Sequence, residues 1–195
     1  MVKRASAGRP EVTSHAAIEQ AAFRLFAERG FEATTLDAIA REVGVGRRTL
    51  FRYYRSKNDI PWGQFDRTLE GFREILANTP SGLGLYEGIG RAIVEFNRFP
   101  EDVSPPHVDR MRLILETPAL QAHSALRYAE WRRVIAEHAG ARLGVEPEAL
   151  EPRLLGHVGL ALAMSAYDTW LDDPTCSITS LLESSTAALS SLVHP

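Results

Sequence analysis

The sequence predicts an all-α protein of about nine helices. Apolar residues recur at intervals of three and four positions along most of the chain, which is the period of a helix that is buried on one face. Glycine and proline residues separate these stretches, and no stretch shows the alternation or the hairpin turns that are typical of strands. A chain of 195 residues with 45% hydrophobic residues has room for a small module and a larger body, each with its own core.

The first helix is predicted from Thr13 or Ser14 to Arg29. Its apolar residues fall on one face, and Gly30 follows it at the position where a helix commonly ends on glycine. We expect this face to form the core beneath the next two helices. The residues that form it are Ile18, Ala21, Ala22, Leu25 and Phe26.

Two short helices with a tight turn between them are predicted within residues 34–57. Thr34 or Thr35 caps the first helix with Asp37 as the acidic partner of a capping box, and Gly44 ends it. This layout is typical of a helix-turn-helix, whose second helix enters the major groove of DNA. A solvated basic face on an ordinary helix is the alternative interpretation. The turn glycine, the following aromatics and three arginines on the second helix together favour DNA binding; the arginines are Arg47, Arg48 and Arg52.

The same region resembles the DNA-binding region of the TetR family of bacterial transcription regulators. Within that family, residues 51–66 are most similar to regulators associated with mycofactocin biosynthesis clusters. Gly46, Arg48 and Phe51 stand where the family commonly has serine, glycine and tyrosine. The resemblance is carried by Gly30-Phe31, Thr34-Thr35, Gly44-Val45, Thr49-Leu50-Phe51, Tyr53-Tyr54 and Lys57.

The predicted DNA-binding residues fall into two groups. We assign base contacts to Arg47, Arg48 and Thr49, because the planar fork of arginine can donate two hydrogen bonds to one guanine. The resemblance places the Tyr53 hydroxyl on a phosphate and Tyr54 inside the module. Phosphate contacts are therefore assigned to Tyr53, Lys57 and the backbone of Thr35, and Arg52 belongs to either group.

The charge distribution supports a DNA-binding N-terminal region. Residues 1–60 contain 11 Lys and Arg against 7 Asp and Glu, whereas the remainder contains 11 against 18. A basic head on an acidic body is expected when only the head meets DNA. Lys3, Arg4 and Arg9 lie in an arm without periodicity, and they either reach the DNA or are incidental charges of a disordered tail.

The chain is divided into an N-terminal arm and DNA-binding domain at residues 1–56 and a ligand-binding and dimerisation domain at residues 57–195. Residues 57–77 are predicted as one continuous helix that joins the two domains, with Gly71 as a weak point. Proline residues mark most boundaries between the later helices. Those helices are predicted at about residues 83–98, 108–116, 118–143, 152–173 and 178–193.

The body is expected to bind a small apolar or amphipathic molecule, as the family resemblance implies. Large side chains, several of them aromatic with a polar group, occur on four predicted helices, which is typical of an internal pocket. Ordinary core packing explains any one of them equally well. A fatty acid or acyl-CoA is the favoured effector, and a flavin, quinone or steroid is left open. The predicted ligand-binding residues are Phe96, Met111, Leu115, Tyr128, Trp131, Met164, Tyr167 and Trp170.

The last helix carries a nearly heptad-spaced apolar stripe that predicts a homodimer. The preceding helix is apolar almost all round and needs cover on more than one side. Together they predict a four-helix interface, although the stripe also fits a face that covers the protein's own core. The stripe consists of Ile178, Leu181, Leu182, Ser185, Leu189 and Leu192.

Several classes of function are not expected. The histidines lack metal-ligand spacing, no local nucleophile arrangement is present, and neither a metal nor a cofactor is predicted. Residues 154–171 approach the length of a membrane span, but His157 and Asp168 within them favour a core helix. A single cysteine, Cys176, and no secretory segment favour a cytoplasmic location.

The sequence thus predicts a homodimeric DNA-binding transcription regulator. The resemblance implies a repressor that a small molecule releases from a palindromic operator. The alternative from another class is a constitutive DNA-binding scaffold whose apolar interior is only a core. An all-α enzyme is a third and weaker alternative.

Overall fold

The computed structural model describes residues 13–100 and 102–193, and within these ranges the chain is helical and has no strand. In this described part of the chain nine α-helices and one short 3₁₀ helix follow one another, which confirms the predicted fold class. The α-helices are α1 (His15–Arg29), α2 (Leu36–Glu42), α3 (Arg47–Leu50), α4 (Phe65–Ala77), α5 (Leu85–Phe96), α6 (His107–Glu116), α7 (Pro118–Leu143), α8 (Leu150–Asp172) and α9 (Ile178–Val193). The 3₁₀ helix spans Lys57–Trp62. The basic arm with Lys3, Arg4 and Arg9 lies outside the described residues.

Internal contacts divide the chain after Gly63 into an N-terminal unit and a C-terminal body. The predicted boundary at residues 56 and 57 falls at the start of the 3₁₀ helix, which packs against α1 and belongs to the N-terminal unit. The core of this unit comes from the apolar stripe of α1 together with one face of each following helix. Its fully buried side chains include Ile18, Ala22, Ile39, Leu50 and Ile60.

Two threonines form hydrogen bonds at the junction between α1 and α2. Thr35 caps α2, since its hydroxyl accepts a hydrogen bond from the backbone N–H of Ala38 at 3.1 Å. Thr34 is buried instead, and its hydroxyl hydrogen-bonds to the carbonyl oxygens of Leu25 and Gly30 at 3.1 and 2.8 Å. With Thr35 as the cap, Asp37 is the second helical residue and not the third. The predicted capping box is therefore wrong, and the Asp37 carboxylate is left for another partner.

The continuous helix predicted at residues 57–77 is interrupted. Ser56 and Asp59 form a capping box, but the helix that they start is the 3₁₀ helix, which ends at Trp62. Pro61 has no N–H for helical hydrogen bonding, and Gly63 adopts a φ of 59° and a ψ of −140°, a conformation that ends the helix. The chain re-enters a helix only at Phe65.

In the C-terminal body, α7 and α8 pack along their lengths, and α9 covers α8 and α5. The contact between α7 and α8 is close because α8 turns small residues toward its neighbour. At Gly156 an added Cβ would lie 2.7 Å from the carbonyl oxygen of Arg132. None of the helices in the described ranges has the length and apolar character needed to cross a membrane.

Candidate functional site

The recognition helix α3 is anchored by one residue and exposes its other face. Leu50 is completely buried in the core of the N-terminal unit, so the residues on the opposite side of the helix point to solvent. Arg47, Arg48 and Arg52 are all exposed, and Thr49 is partly exposed. Four of the seven residues predicted to contact DNA thus lie at least partly exposed on one short segment.

Arg47 differs from its neighbours because it is held by two contacts. Its Nη1 lies 3.4 Å from Oδ2 of Asp37 at the start of α2, and its guanidinium carbon lies 5.4 Å from the ring centre of Phe51. Arg48 and Arg52 have no hydrogen-bonding or ionic partner among the described residues. The exposed cationic segment therefore combines one oriented arginine with two free ones.

Tyr53 uses its hydroxyl within the protein. The hydroxyl donates a hydrogen bond to the carbonyl oxygen of Thr13 at 2.7 Å, and the ring packs edge-on against His15 at the start of α1. A phosphate contact by Tyr53, as the sequence predicted, would have to replace this bond. Tyr54 points inward as expected, and its hydroxyl hydrogen-bonds to the buried carboxylate of Glu19 at 2.6 Å.

Lys57 is also engaged inside the N-terminal unit. Its Nζ donates hydrogen bonds to the carbonyl oxygens of Phe31 and Glu32 at 2.6 and 3.3 Å, and it lies 4.3 Å from the centre of the Phe31 ring. Burial lowers the pKa of Lys57, and the charge of Glu32 opposes that effect. The phosphate contact of Lys57 stays a prediction, and within the protein its Nζ binds the loop between α1 and α2.

The predicted ligand-binding residues of the body fall into two aromatic groups. Phe96 and Trp131 pack with Phe72, whose ring stacks on Trp131 at 5.0 Å. Tyr167 and Trp170 form a second group with His107 and Phe99. Tyr128 is half-buried, and burial raises its pKa to about 12. The remaining three predicted residues, Met111, Leu115 and Met164, are partly buried.

A buried chain of hydrogen bonds links the second aromatic group to α5. The Tyr167 hydroxyl donates to Oδ1 of Asn97 at 2.5 Å and lies 2.7 Å from Nε2 of His107. Because the hydroxyl gives its only hydrogen to Asn97, His107 donates from Nε2. Asn97 in turn donates from Nδ2 to the carbonyl oxygen of Ile93 at 2.7 Å. Burial, with Arg110 nearby, lowers the pKa of His107 to about 4, so its ring is neutral at pH 7.

Sequence reasoning missed Asn97 and His107 as partners of Tyr167. They are 70 and 60 residues away from it along the chain, and no local spacing connects them. A polar residue at the end of a strongly apolar predicted helix, as Asn97 is, was the available signal. The hydrogen-bonded group places three polar side chains among the aromatic rings of the body.

An open groove of about 450 Å³ lies elsewhere in the body, between α5 and α9. None of the predicted ligand-binding residues lines it. Gly90 permits the close approach of the two helices, since an added Cβ would lie 2.6 Å from Cγ2 of Thr186. Its lining includes Tyr86, Arg91, Val94, Glu183, Thr186 and Ser190.

The predicted dimer stripe on α9 divides between core and surface. Leu182 is only 1% exposed and belongs to the core of the body, whereas Leu192 is 78% exposed. Ile178, Leu181, Ser185 and Leu189 are partly buried. On the preceding helix, α8, Leu150 and Leu154 are also exposed, at 76% and 56%. In the described part of the chain, no group of three or more metal-ligating side chains is close enough to hold an ion.

Comparison with known proteins agrees with both halves of this architecture. Residues 18–60 match the family model described as bacterial regulatory proteins of the tetR family, and residues 83–194 match the MftR C-terminal domain. A protein of Mycobacterium tuberculosis named as a mycofactocin biosynthesis transcriptional regulator, MftR, is 42% identical over 90% of this chain and 88% of its own length.

Solved structures with the same fold include two transcription regulators that are both named FadR. The TetR-family repressor FadR of Thermus thermophilus, in complex with lauroyl-CoA, is 22% identical over 90% of this chain and 93% of its own, with a TM-score of 0.57. FadR of Bacillus subtilis, in complex with stearoyl-CoA, is 18% identical over 90% of this chain and 97% of its own, with a TM-score of 0.59. These likenesses show the fold. The chain therefore belongs to the TetR family of DNA-binding transcription regulators, which are not enzymes, and its body is an MftR-type C-terminal domain.

Proposed function

We propose that this regulator is a repressor that a small amphipathic effector, such as a fatty acyl-CoA, releases from a palindromic operator. The observation that carries the effector half is the hydrogen-bonded group of Asn97, His107 and Tyr167 inside the aromatic body. Polar groups are costly to bury, and a neutral donor and acceptor set beside aromatic rings suits the carbonyl end of an apolar ligand. The ligands named for the two FadR structures are of this chemical class.

The DNA half of the proposal assigns base contacts to Arg47, Arg48 and Thr49. Arg48 and Arg52 are free to meet bases or phosphates, and the backbone of Thr35 at the start of α2 remains a phosphate contact. Tyr53 and Lys57 join the phosphate contacts only if their internal hydrogen bonds are exchanged for bonds to DNA.

Loss of a base-reading arginine tests this assignment. Arg48→Ala is expected to weaken operator binding by about 1–3 kcal/mol and to relax specificity at one base pair, measured by fluorescence anisotropy. Arg91→Ala is a suitable control, since this exposed arginine lies on α5 and forms its ion pair within that helix. Unchanged affinity for both Arg47→Ala and Arg48→Ala would contradict the assignment.

The proposal of a homodimer rests on large apolar side chains that are exposed to solvent in the single chain. Leu150 and Leu154 lie one helical turn apart on α8, and Leu192 projects from the end of α9. A symmetric contact through these helices would cover them, and the two recognition helices would then meet half-sites about 34–36 Å apart or a multiple of that distance. The half-buried Ile178, Leu181, Ser185 and Leu189 would lie at its edge.

Release of DNA by the effector is the decisive experiment. Acyl-CoA esters of increasing chain length are titrated against the protein–operator complex, with free coenzyme A as the control for the shared headgroup. Release requires that the ligand binds the DNA-free state more tightly, because a ligand with equal affinity for both states shifts nothing. If no acyl chain releases the DNA and Trp131 and Trp170 fluorescence stays constant, the acyl effector is wrong. If a broad metabolite extract also fails, the constitutive DNA-binding scaffold takes its place.

A further inference from the structure

We propose that Asp37 positions Arg47 for reading one base pair, and that it raises the sequence specificity of the regulator while lowering its affinity for DNA of any sequence. This inference rests on the proposed base contact of Arg47. It concerns a residue of α2 that lies across the turn from the recognition helix. Its carboxylate is ten residues from Arg47 in sequence and in contact with it in the structure.

The geometry fixes Arg47 from two directions. The Asp37 carboxylate approaches Nη1 at 3.4 Å, and the Phe51 ring, one helical turn beyond Arg47, packs against the guanidinium at 5.4 Å. A guanidinium has five N–H donors, and the ion pair occupies one nitrogen only. The remaining donors stay available for a base edge. An arginine that is already oriented loses less side-chain freedom when it binds, which strengthens the contact that needs that orientation.

The pair contributes little to folding. Both side chains are more than half exposed, at 61% for Arg47 and 56% for Asp37, and exposed ion pairs contribute at most about 1 kcal/mol. A carboxylate beside the DNA-binding arginines also repels the phosphates of every duplex. A negative charge in this position therefore lowers general affinity, and its benefit lies in discrimination between sequences.

Phe51 contributes to the same arrangement. It is exposed, and it lacks the hydroxyl of the tyrosine common at this position in similar proteins. Its ring face is the second support of Arg47, whereas Arg48 has neither an acidic nor an aromatic partner among the described residues. Both neighbouring arginines are proposed to contact bases, and the one that is held in place, Arg47, is expected to discriminate more sharply than Arg48.

The test uses the full-length protein and an operator enriched from randomised duplex DNA with the wild type. Binding is measured for that operator, for a panel with each base pair replaced, and for an unrelated duplex. Asp37→Ala is expected to reduce the discrimination at one base pair about fivefold or more, the lower end of what a bidentate contact supplies. Its affinity for the unrelated duplex is expected to increase at low salt.

Arg47→Ala identifies the base pair concerned. The inference requires that Asp37→Ala acts at the same base pair and that it has no further effect on discrimination in the Arg47→Ala background. Glu42→Ala is the matched control, because it removes the same charge from the same helix and breaks an ion pair with Arg24 at 3.1 Å. That control is expected to retain full discrimination.

Three outcomes would overturn the inference. The first is an effect of Asp37→Ala on folding alone, seen as a lower melting temperature with an equal loss of affinity for all sequences. Discrimination unchanged in Asp37→Ala, with Arg47→Ala altered, would remove the positioning role and leave the base contact standing. Discrimination unchanged in Arg47→Ala itself would instead overturn the base contact on which the inference rests.

Discussion

Lys57 illustrates how a single side chain organises the DNA-binding unit from within. Its Nζ reaches back to the loop between α1 and α2, where it donates to two carbonyl oxygens and lies against the ring of Phe31. This loop leads into Thr35 and the start of α2. The position of α2 under the recognition helix therefore depends in part on one lysine that the sequence assigned to phosphate.

Lys57→Met retains the aliphatic stem and removes the charge and the donors. We expect the free energy of unfolding in urea to fall by about 1–2 kcal/mol, because two hydrogen bonds and a cation–π contact are lost. The salt dependence of DNA binding should hardly change. Arg55→Met is the control, since Arg55 is exposed and its replacement should stay within about 0.5 kcal/mol. Unchanged stability with a salt slope reduced by roughly 1 would restore the phosphate role.

His107 is expected to make the stability of the body dependent on pH. Burial, with Arg110, lowers its folded-state pKa from the ordinary 6.5 to about 4. Between these values the unfolded chain binds a proton that the folded chain does not bind, so stability is fully present above pH 6.5 and falls as the pH drops toward 4. The loss attributable to this group is up to about 3 kcal/mol.

Urea unfolding at pH 7, 5.5 and 4.5 measures this dependence. His107→Gln keeps an amide donor for the Tyr167 hydroxyl but does not titrate, so its stability should decline less over the same range. His138, whose pKa is also lowered by burial, contributes equally to both proteins and cancels in the comparison. Parallel curves for the two proteins would show that His107 takes up a proton without loss of stability.

At the scale of the elements, the body is held together by the close packing of α7 and α8. The small residues of α8 that are buried in this part of the body include Gly156, Gly159, Ala163 and Ala166. The approach of the two helices is closest at Gly156. The atoms that face Gly156 belong to the main chain of Arg132, which cannot move aside as a side chain does. Gly71 in α4 provides the contrast, with no atom within 4 Å of an added Cβ.

Gly156→Ala and Gly71→Ala are therefore expected to have opposite effects. The first forces α7 and α8 apart and should lower the free energy of unfolding by about 1–3 kcal/mol. The second should raise it by about 0.5–1 kcal/mol, because alanine is more favourable than glycine inside a helix and no atom lies close enough to clash with its methyl group. Thermal unfolding of both variants gives the comparison. Equal stabilisation by both would mean that the α7–α8 contact relaxes freely.

At the scale of the whole molecule, we expect the exposed leucines of α8 to control the association of two copies. Leu154→Glu places a charge within the proposed interface and should convert the dimer into a monomer at micromolar concentration, as measured by sedimentation. Leu126 is also exposed, at 67%, and it lies on α7, which is not one of the two helices of the proposed interface, so Leu126→Glu is expected to leave the dimer intact. A wild-type monomer at that concentration would overturn the dimer itself.

The sequence by itself determined most of the helices, the turn and the exposed basic face, but not the interruption of the helix predicted at residues 57–77. These follow from local chemistry: apolar spacing of three and four residues, a capping threonine, a glycine at a turn, and arginines opposite a buried Leu50. The family resemblance rests on the same local features. Each of them involves residues that are close in sequence, so their spacing alone carries the information.

The tertiary structure decided which side chains are bound within the protein and which are exposed to a partner. The partners of Lys57, Tyr167 and Arg47 lie 26, 70 and 10 residues away, and no periodicity predicts such contacts. Likewise, Leu182 and Leu192 belong to one predicted stripe, yet one is core and the other surface, because packing against α5 and α8 determines which part of α9 is covered. Helical spacing defines a face of a helix, and only the neighbouring helices determine what that face meets.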